Sequence, residues 1–164
     1  MTRHDSQRGW FAYELYQHMQ KDKNIWLICL DLGYKVFDQH FKDFPERCIN
    51  PGAAEQAGMG IAVGLALEEK IPVVYTISTF LVWRSAETIR LYINHEKIKV
   101  ILAGSGVKRS YKHDGISHWA DDVPNLLNLW PNIKQYWPET KEAIPTLVEK
   151  MVKLDRPYFI GLKR

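Results

Sequence analysis

The stretch FPERCINPGAAEQAGMGIAVGLALEEKIPVVYTISTFLVWRSAETIR, residues 44–90, decides the fold. Short apolar runs in it alternate with longer segments of helical period. The pattern predicts strands over residues 47–50 and 72–78 and helices over residues 54–68 and 80–95. Strands separated by helices are typical of a parallel sheet that is covered on both faces.

The same alternation continues outward along the chain. We expect a first helix that begins after Asp5 or Ser6, both good capping residues, and ends near residue 21. Further strands are predicted over residues 25–30, 99–103, 133–137 and 157–162, further helices near residues 36–42, 121–129 and 141–153, and a polar loop over residues 104–117. The predicted fold class is therefore α/β: a single three-layer domain over residues 1–164, with about six mostly parallel strands and helices on both faces. Ligands bind such folds at the carboxyl ends of the strands.

Composition and charge narrow the class of protein. The chain has 164 residues, of which 46% are hydrophobic and 25% charged, as in ordinary globular domains. The net charge of +3 is spread along the chain, so we expect no nucleic acid partner. The apolar run at residues 25–30 is too short to span a bilayer, and the N-terminus resembles no signal peptide, so we expect no membrane segment. Cys29 and Cys48 lie in apolar runs, which indicates reduced core residues of a cytoplasmic protein.

Four segments carry a resemblance to a known family. They are NPGAAEQ at residues 50–56, HDGISHWADD at residues 113–122, DLG at residues 31–33, and the closing RPYFIGLKR at residues 156–164. Together they resemble the pyrimidine-binding domain of transketolases and of 1-deoxyxylulose-5-phosphate synthase, in the same order and over nearly the whole chain. The resemblance implies the thiamine diphosphate-binding fold of the pyrimidine type, with thiamine diphosphate as the cofactor.

The resemblance also assigns residues to the cofactor. The carboxyl of Glu55 would hydrogen-bond the N1′ atom of the aminopyrimidine and so activate the cofactor as the first catalytic residue. A glutamate in the first turn of a helix can also serve only as a favourable charge at the helix terminus. Phe80 would stack on the pyrimidine ring, and Trp83, one turn further, could widen that platform. Ala86 stands where many relatives have a second aromatic residue.

Substrate contacts follow from the other matches. Asp114 would hold a hydroxyl group, and His118 would assist proton transfer as the second catalytic residue. Arg164 matches a phosphate-binding arginine that ends the last strand, and Arg3 matches another such arginine more loosely. Ile116 and Ser117 replace the Pro-Thr of the family's Asp-Gly-Pro-Thr-His loop, which puts the shape of this loop in question.

Half of the family's machinery is absent from these residues. The Gly-Asp-Gly sequence with its later Asn, which holds the diphosphate through Mg²⁺ or Ca²⁺, does not occur, and no metal-ligand spacing is found. The resemblance therefore implies a separate partner subunit, in an arrangement such as α2β2. The favoured function is a split transketolase-like transferase acting on a sugar, a sugar phosphate or a hydroxyketone. A split 2-oxo acid decarboxylase or carboligase and a non-catalytic scaffold domain are the alternatives.

Overall fold

The computed structural model describes Met1 and residues 3–164, and within them it shows a six-stranded sheet. The strands are β1 (Ile25–Cys29), β2 (Cys48–Ile49), β3 (Ile71–Ile77), β4 (Ile101–Ser105), β5 (Lys134–Tyr136) and β6 (Tyr158–Leu162). They lie in the order β2-β1-β3-β4-β6-β5, and all neighbouring pairs are parallel. The α/β prediction is confirmed, and the sheet is parallel throughout.

Helices cover both faces of this sheet. They are α1 (Gln7–Lys21), α2 (Asp38–Asp43), α3 (Glu55–Leu67), α4 (Ser78–Trp83), α5 (Ala86–Thr88), α6 (Val123–Asn128) and α7 (Ile144–Lys153). Ser6 rather than Asp5 caps α1, because its side-chain oxygen accepts a hydrogen bond of 3.1 Å from the backbone nitrogen of Gly9. No helix in the described part of the chain is long and apolar enough to cross a membrane.

The continuous helix predicted over residues 80–95 is wrong in one respect. Helix α4 ends at Trp83, and the backbone of Ser85 leaves the helical region with φ −114° and ψ 15°. Helix α5 then runs directly into a π-helical segment, Ile89–His95. Ser85 is fully buried at the break, and its hydroxyl has no hydrogen-bond partner among the described residues. This break leaves Arg84 at the end of α4, beside the edge of the sheet.

Two apolar layers make the core, one on each face. In β1, Leu27 and Cys29 face α1 and α7, whereas Ile28, together with Leu30 just after the strand, faces α3 and α4. Side chains of successive strand residues point to opposite faces, so a strand buried on both sides is apolar along its whole length. Both cysteines are free and buried, and burial raises the pKa of each thiol to about 12, so they remain protonated packing residues.

Candidate cofactor and substrate site

The predicted site residues are distributed along one edge of the sheet, where the parallel strands end. Asn50 follows β2, and its side-chain oxygen accepts hydrogen bonds from the backbone nitrogens of Asp31 at 3.2 Å and Gly52 at 3.0 Å. It thereby joins the end of β1 to the turn before α3. Gly52 adopts φ +76°, a conformation that glycine enters without strain. This turn sets the direction in which α3 leaves the sheet.

Glu55 is the first residue of α3, and its carboxylate is turned inward. Its side chain is 2% exposed, and Oε2 accepts a hydrogen bond of 2.9 Å from Nη1 of Arg84. The next residue, Gln56, donates a hydrogen bond of 2.7 Å to the Thr88 hydroxyl, which fixes α3 against α5. A glutamate that only complemented the helix terminus would need no contact with another helix, and full burial of its charge costs desolvation free energy. The inward orientation therefore favours a role for Glu55 beyond that of a cap.

Phe80 contacts the same Arg84 side chain with its ring. The guanidinium carbon of Arg84 lies 3.8 Å from the centroid of the Phe80 ring, as expected for residues spaced i, i+4 on a helical turn. The imidazole of His118 packs against the same ring at a centroid distance of 4.8 Å and an interplanar angle of 66°. Trp83 lies one turn away and is half exposed, and it lines a shallow cavity of about 260 Å³ together with Phe80 and Trp119.

The loop between β4 and α6 carries the predicted substrate residues. Thr79 donates a hydrogen bond of 2.9 Å to the carbonyl of Ser117, which holds the loop against α4. His118 follows directly, and its Nδ1 lies 3.0 Å from the Ser117 hydroxyl. Asp114 lies four residues earlier in a short 3₁₀ turn, Lys112–Asp114, where its side chain is exposed. The fold therefore brings Glu55, Phe80 and His118 together, and it leaves Asp114 at the rim of the same loop.

The two predicted phosphate arginines lie in different places. Arg164 is exposed after β6, and its guanidinium carbon is 4.9 Å from the ring centroid of Tyr111, which in turn lies 6.0 Å from the His118 ring. Arg3 instead stacks on Trp10 at 3.8 Å and lies 3.9 Å from the carboxylate of Glu14, on helix α1. The structure thus joins Arg164 to the His118 loop, whereas it does not bring Arg3 to that loop.

Sequence reasoning missed a second pocket at the same edge. A cavity of about 470 Å³ lies between α1 and the segment after β1, lined by Arg8, Asp31, Phe37, Asn50 and Tyr75 among others. Neither Nε of Arg8 nor the hydroxyl of Tyr75 has a hydrogen-bond partner among the described residues. Burial raises the pKa of Tyr75 to about 12, although the neighbouring Ser105 hydroxyl and the Arg8 guanidinium oppose the rise. No pattern indicated these residues, because Tyr75 lies within an apolar strand and Arg8 within an ordinary helix.

Arg84 was missed as well, although a signal for it exists. It stands four residues after Phe80 in a predicted helix, and this spacing favours contact between an arginine and an aromatic ring. In the described part of the chain, no group of three or more His, Cys, Asp or Glu side chains is arranged to hold a metal ion. Glu55 and Phe80 are the groups that could hold a planar, nitrogen-rich ligand, since they already hold the guanidinium of Arg84 in this way.

Comparison with known proteins agrees with this geometry. Residues 6–164 match the family model described as "Transketolase, pyrimidine binding domain". The chain is 32% identical over 112 residues to a putative transketolase C-terminal section of Methanocaldococcus jannaschii, covering 68% of this chain and 35% of that protein. It is 35% identical over 83 residues to an apulose-4-phosphate transketolase subunit of Actinobacillus succinogenes, covering 50% of this chain and 27% of that protein. The chain thus spans about a third of the length of these relatives.

A solved structure shows the same fold. The structure titled "Split gene transketolase, inactive beta4 tetramer" superposes with a TM-score of 0.84 at 30% sequence identity, covering 96% of this chain and 51% of that chain. The family match extends over nearly all of the described sheet and helices. The chain therefore belongs to the transketolase pyrimidine-binding domain family.

Proposed function

We propose that this chain is a subunit of a split, thiamine diphosphate-dependent transketolase-like transferase, and that Glu55 activates the cofactor. Membership of the family implies use of thiamine diphosphate. The observation that carries the proposal is the buried carboxylate of Glu55, which is 2% exposed and directed at a planar cation stacked on Phe80. A carboxyl group and an aromatic ring in this arrangement fit an aminopyrimidine, which offers a ring nitrogen to the first and a π face to the second.

Each residue then has a defined role. The bound cofactor supplies the nucleophilic carbon that attacks the donor carbonyl, and the chain supplies the groups that orient and protonate. Glu55 would share a proton with the ring nitrogen N1′, Phe80 would stack on the pyrimidine ring, and Trp83 would extend the apolar wall. Burial excludes water from this proton and makes the shared hydrogen bond stronger than it would be in solvent.

The substrate end of the proposed site is the loop that carries Asp114 and His118. His118 packs on Phe80, so a group bound to it would lie next to the cofactor ring. There His118 would move a proton at the hydroxyl or carbonyl of a sugar or hydroxyketone, and Asp114 would hold a hydroxyl. Arg164 would bind the phosphate of a phosphorylated sugar, and the predicted role of Arg3 requires it to leave its stacking contact with Trp10.

A partner subunit completes the proposal. The Gly-Asp-Gly sequence with its later Asn does not occur in these residues, and one relative is itself named as a transketolase subunit. We therefore expect a second polypeptide to hold the diphosphate and Mg²⁺ or Ca²⁺, in an arrangement such as α2β2, in the cytoplasm. Alone, this chain should bind thiamine diphosphate weakly and lack turnover, which calorimetric titration in the presence of Mg²⁺ measures. Tight binding to the isolated chain would contradict the split site.

The decisive experiment is Glu55→Gln in the assembled enzyme. The substitution keeps the shape and removes the carboxyl proton, so turnover should fall by about 10²–10⁴-fold. The rate at which the C2 hydrogen of the bound cofactor exchanges with deuterium should fall with it, while the melting temperature changes little. Glu68→Gln, at the other end of α3, is the matched control and should behave as wild type. A wild-type exchange rate in Glu55→Gln would leave Glu55 as a structural residue and favour a non-catalytic scaffold.

A further inference from the structure

We propose that the guanidinium of Arg84 occupies the position of the cofactor's aminopyrimidine in the cofactor-free subunit, and that thiamine diphosphate binds only when Arg84 moves away. This inference rests on the proposed function and adds a residue that determines cofactor affinity. Two contacts define the position of Arg84. Its Nη1 lies 2.9 Å from Oε2 of Glu55, and its guanidinium carbon lies 3.8 Å from the centroid of the Phe80 ring.

These are the two contacts that the proposed function assigns to the aminopyrimidine. A guanidinium and an aminopyrimidine are both planar and rich in nitrogen, and both can hydrogen-bond a carboxylate while stacking on an aromatic ring. A planar group 3.8 Å above a ring is in van der Waals contact with it, so no second planar group fits between them. On this face of Phe80, Arg84 and a pyrimidine ring therefore exclude each other.

Other positions on the Phe80 ring suit the aminopyrimidine less well, because the cavity of about 260 Å³ that Phe80 lines is not lined by Glu55. His118 packs edge-on against Phe80 at a centroid distance of 4.8 Å, and Thr79 anchors the loop of His118 through Ser117. A ligand that used Phe80 without displacing Arg84 would have to displace this loop. Exchange with the Arg84 side chain requires less rearrangement, since only one side chain changes its rotamer.

Arg84 can leave without disturbing the core. Its side chain is 47% exposed, whereas that of Glu55 is 2% exposed, so the cation can turn outward into solvent while the carboxylate stays in place. It is the last residue before the helix break at Ser85, where the chain turns away from α4. The departure would leave a buried carboxylate without its partner, which is strongly unfavourable unless another donor replaces it. The cofactor's ring nitrogen would replace Arg84 if one proton were taken up from solvent, because that proton would then be shared between the Glu55 carboxyl and N1′ and the carboxyl would no longer be an unpaired charge.

Two consequences follow from this exchange of partners. In the free subunit, Arg84 compensates the buried charge of Glu55 and stabilises the fold. When the cofactor binds, the same contact must break, so Arg84 lowers the apparent affinity. Removing the guanidinium should therefore destabilise the cofactor-free protein and tighten cofactor binding, whereas a purely structural ion pair would produce the first effect only.

The test is Arg84→Met in the enzyme assembled with its partner subunit, titrated calorimetrically with thiamine diphosphate and Mg²⁺. Methionine keeps an unbranched apolar stem and lacks the charge. We expect the Kd for the cofactor to fall by about three- to thirtyfold, the melting temperature of the cofactor-free assembly to fall, and that of the saturated assembly to stay near the wild-type value. Arg90→Met, at an exposed position in the following π-helical segment, is the matched control and should change none of these.

A second variant covers the case in which Arg84→Met fails to fold. In Arg84→Ala, guanidinium ion at concentrations that do not denature the protein should compete with thiamine diphosphate, because the free ion regains the contacts with Glu55 and Phe80. Urea, which has a similar shape and no charge, should compete much less. Equal or weaker cofactor binding by Arg84→Met, or no competition by guanidinium, would overturn the inference and leave the proposed function standing. Absence of binding by the wild-type assembly would overturn both.

Discussion

Two regions at the same edge of the sheet differ in whether their buried polar groups have hydrogen-bond or ionic partners. In the Glu55 cluster, which comprises Glu55, Phe80, Arg84 and His118, the buried carboxylate has a cationic partner and the rings contact one another. In the α1–α2 region, which comprises Arg8, Phe37, His40 and Tyr75, buried nitrogen and oxygen atoms lack partners among the described residues. Phe37 connects that region, with its ring centroid 4.7 Å from that of Tyr75 and 4.9 Å from that of His40.

The unpaired polar atoms of the α1–α2 region affect the stability of the fold, whereas the paired groups of the Glu55 cluster are suited to binding a ligand. A buried polar atom without a partner costs about 1–3 kcal/mol of folding free energy, so the α1–α2 region lowers the stability of the chain. In the Glu55 cluster the proposed ligand would replace one partner with another, so the fold would not have to carry an unpaired charge. Substitutions in the α1–α2 region should therefore change stability, and substitutions in the Glu55 cluster should change turnover or ligand affinity.

The largest expected effect tests the Glu55 cluster. His118→Ala in the assembled enzyme should slow turnover of a hydroxyketone donor by about 10²–10⁴-fold, because a positioned proton donor is lost. Cofactor affinity and the melting temperature should stay near their wild-type values. Steady-state kinetics and calorimetric titration measure the two quantities, and His113→Ala, an exposed histidine in the same loop, serves as the control. A collapse of cofactor affinity would show that this loop lies on the cofactor rather than on the substrate.

The next effect belongs to the α1–α2 region and depends on pH. Burial lowers the pKa of His40 to about 4 from its ordinary value of 6.5, although the nearby Asp43 carboxylate opposes the shift. In the unfolded chain the His40 imidazole binds a proton below about pH 6.5, whereas in the folded chain it stays neutral down to about pH 4. This contribution to stability is therefore complete above pH 6.5 and is lost as the pH falls toward 4, by about 3 kcal/mol.

Urea unfolding at pH 7 and at pH 4.5 measures this loss. In His40→Leu the titrating group is gone, so the free energy of unfolding should fall less between the two pH values than it does in the wild type. Asp43 titrates in both proteins, and the difference between them therefore isolates His40. Parallel pH profiles in the two proteins would show that His40 is solvated or protonated in the folded state.

A smaller effect, on the KM for the substrate, tests the role of Arg164 in the proposed substrate site. Arg164→Met should raise the KM for a phosphorylated sugar by about tenfold, equivalent to the loss of one good charge-assisted contact, and should spare an unphosphorylated one. Lys163→Met is the neighbouring control, since its amine donates a hydrogen bond to the carbonyl of Glu139. The same assay on Arg3→Met and Arg8→Met compares Arg3, which the sequence predicted to bind phosphate, with Arg8, which lines the cavity of about 470 Å³. Equal effects of Arg164→Met on both substrates would remove the phosphate role.

The smallest expected effect is a change in the free energy of unfolding. Its sign should differ between removal of an unpaired tyrosine hydroxyl and removal of a hydrogen-bonded one. Tyr75→Phe removes a buried hydroxyl without a partner among the described residues and should raise the free energy of unfolding by up to about 1 kcal/mol. Tyr16→Phe removes a hydroxyl that donates a hydrogen bond of 2.6 Å to Asp43, and should lower it by about 1 kcal/mol. Urea denaturation of both variants at pH 7 tests the pair. Destabilisation by Tyr75→Phe would show that the neighbouring Ser105 hydroxyl, water or a ligand satisfies the Tyr75 hydroxyl.

Sequence reasoning reached most of the fold and part of the candidate site. The strands and the position of Glu55 near the start of α3 follow from local patterns that the structure keeps, whereas the sequence left the α1 cap open between Asp5 and Ser6 and the structure uses Ser6. The break at Ser85 was missed, because apolar periodicity runs through it and only the packing of α5 reveals it. The roles predicted for Glu55 and His118 stay predictions, and the structure adds their contact through Arg84 and Phe80.

The order of apolar runs determined the class of fold, because burial on both faces of a parallel sheet demands continuous apolar strands separated by helices. The family was indicated only by the resemblance of the segments at residues 31–33, 50–56, 113–122 and 156–164. The motifs around Glu55 and His118 are contained in short segments and can be read without coordinates. Tertiary structure alone decided which side chains meet. Arg84 reaches Glu55 across 29 residues, and Arg8 lies beside Tyr75, because the sheet brings distant strand ends to one edge. The ion pair between Arg84 and Glu55 forms only because the fold brings these two residues together, so neither local segment predicts it by itself.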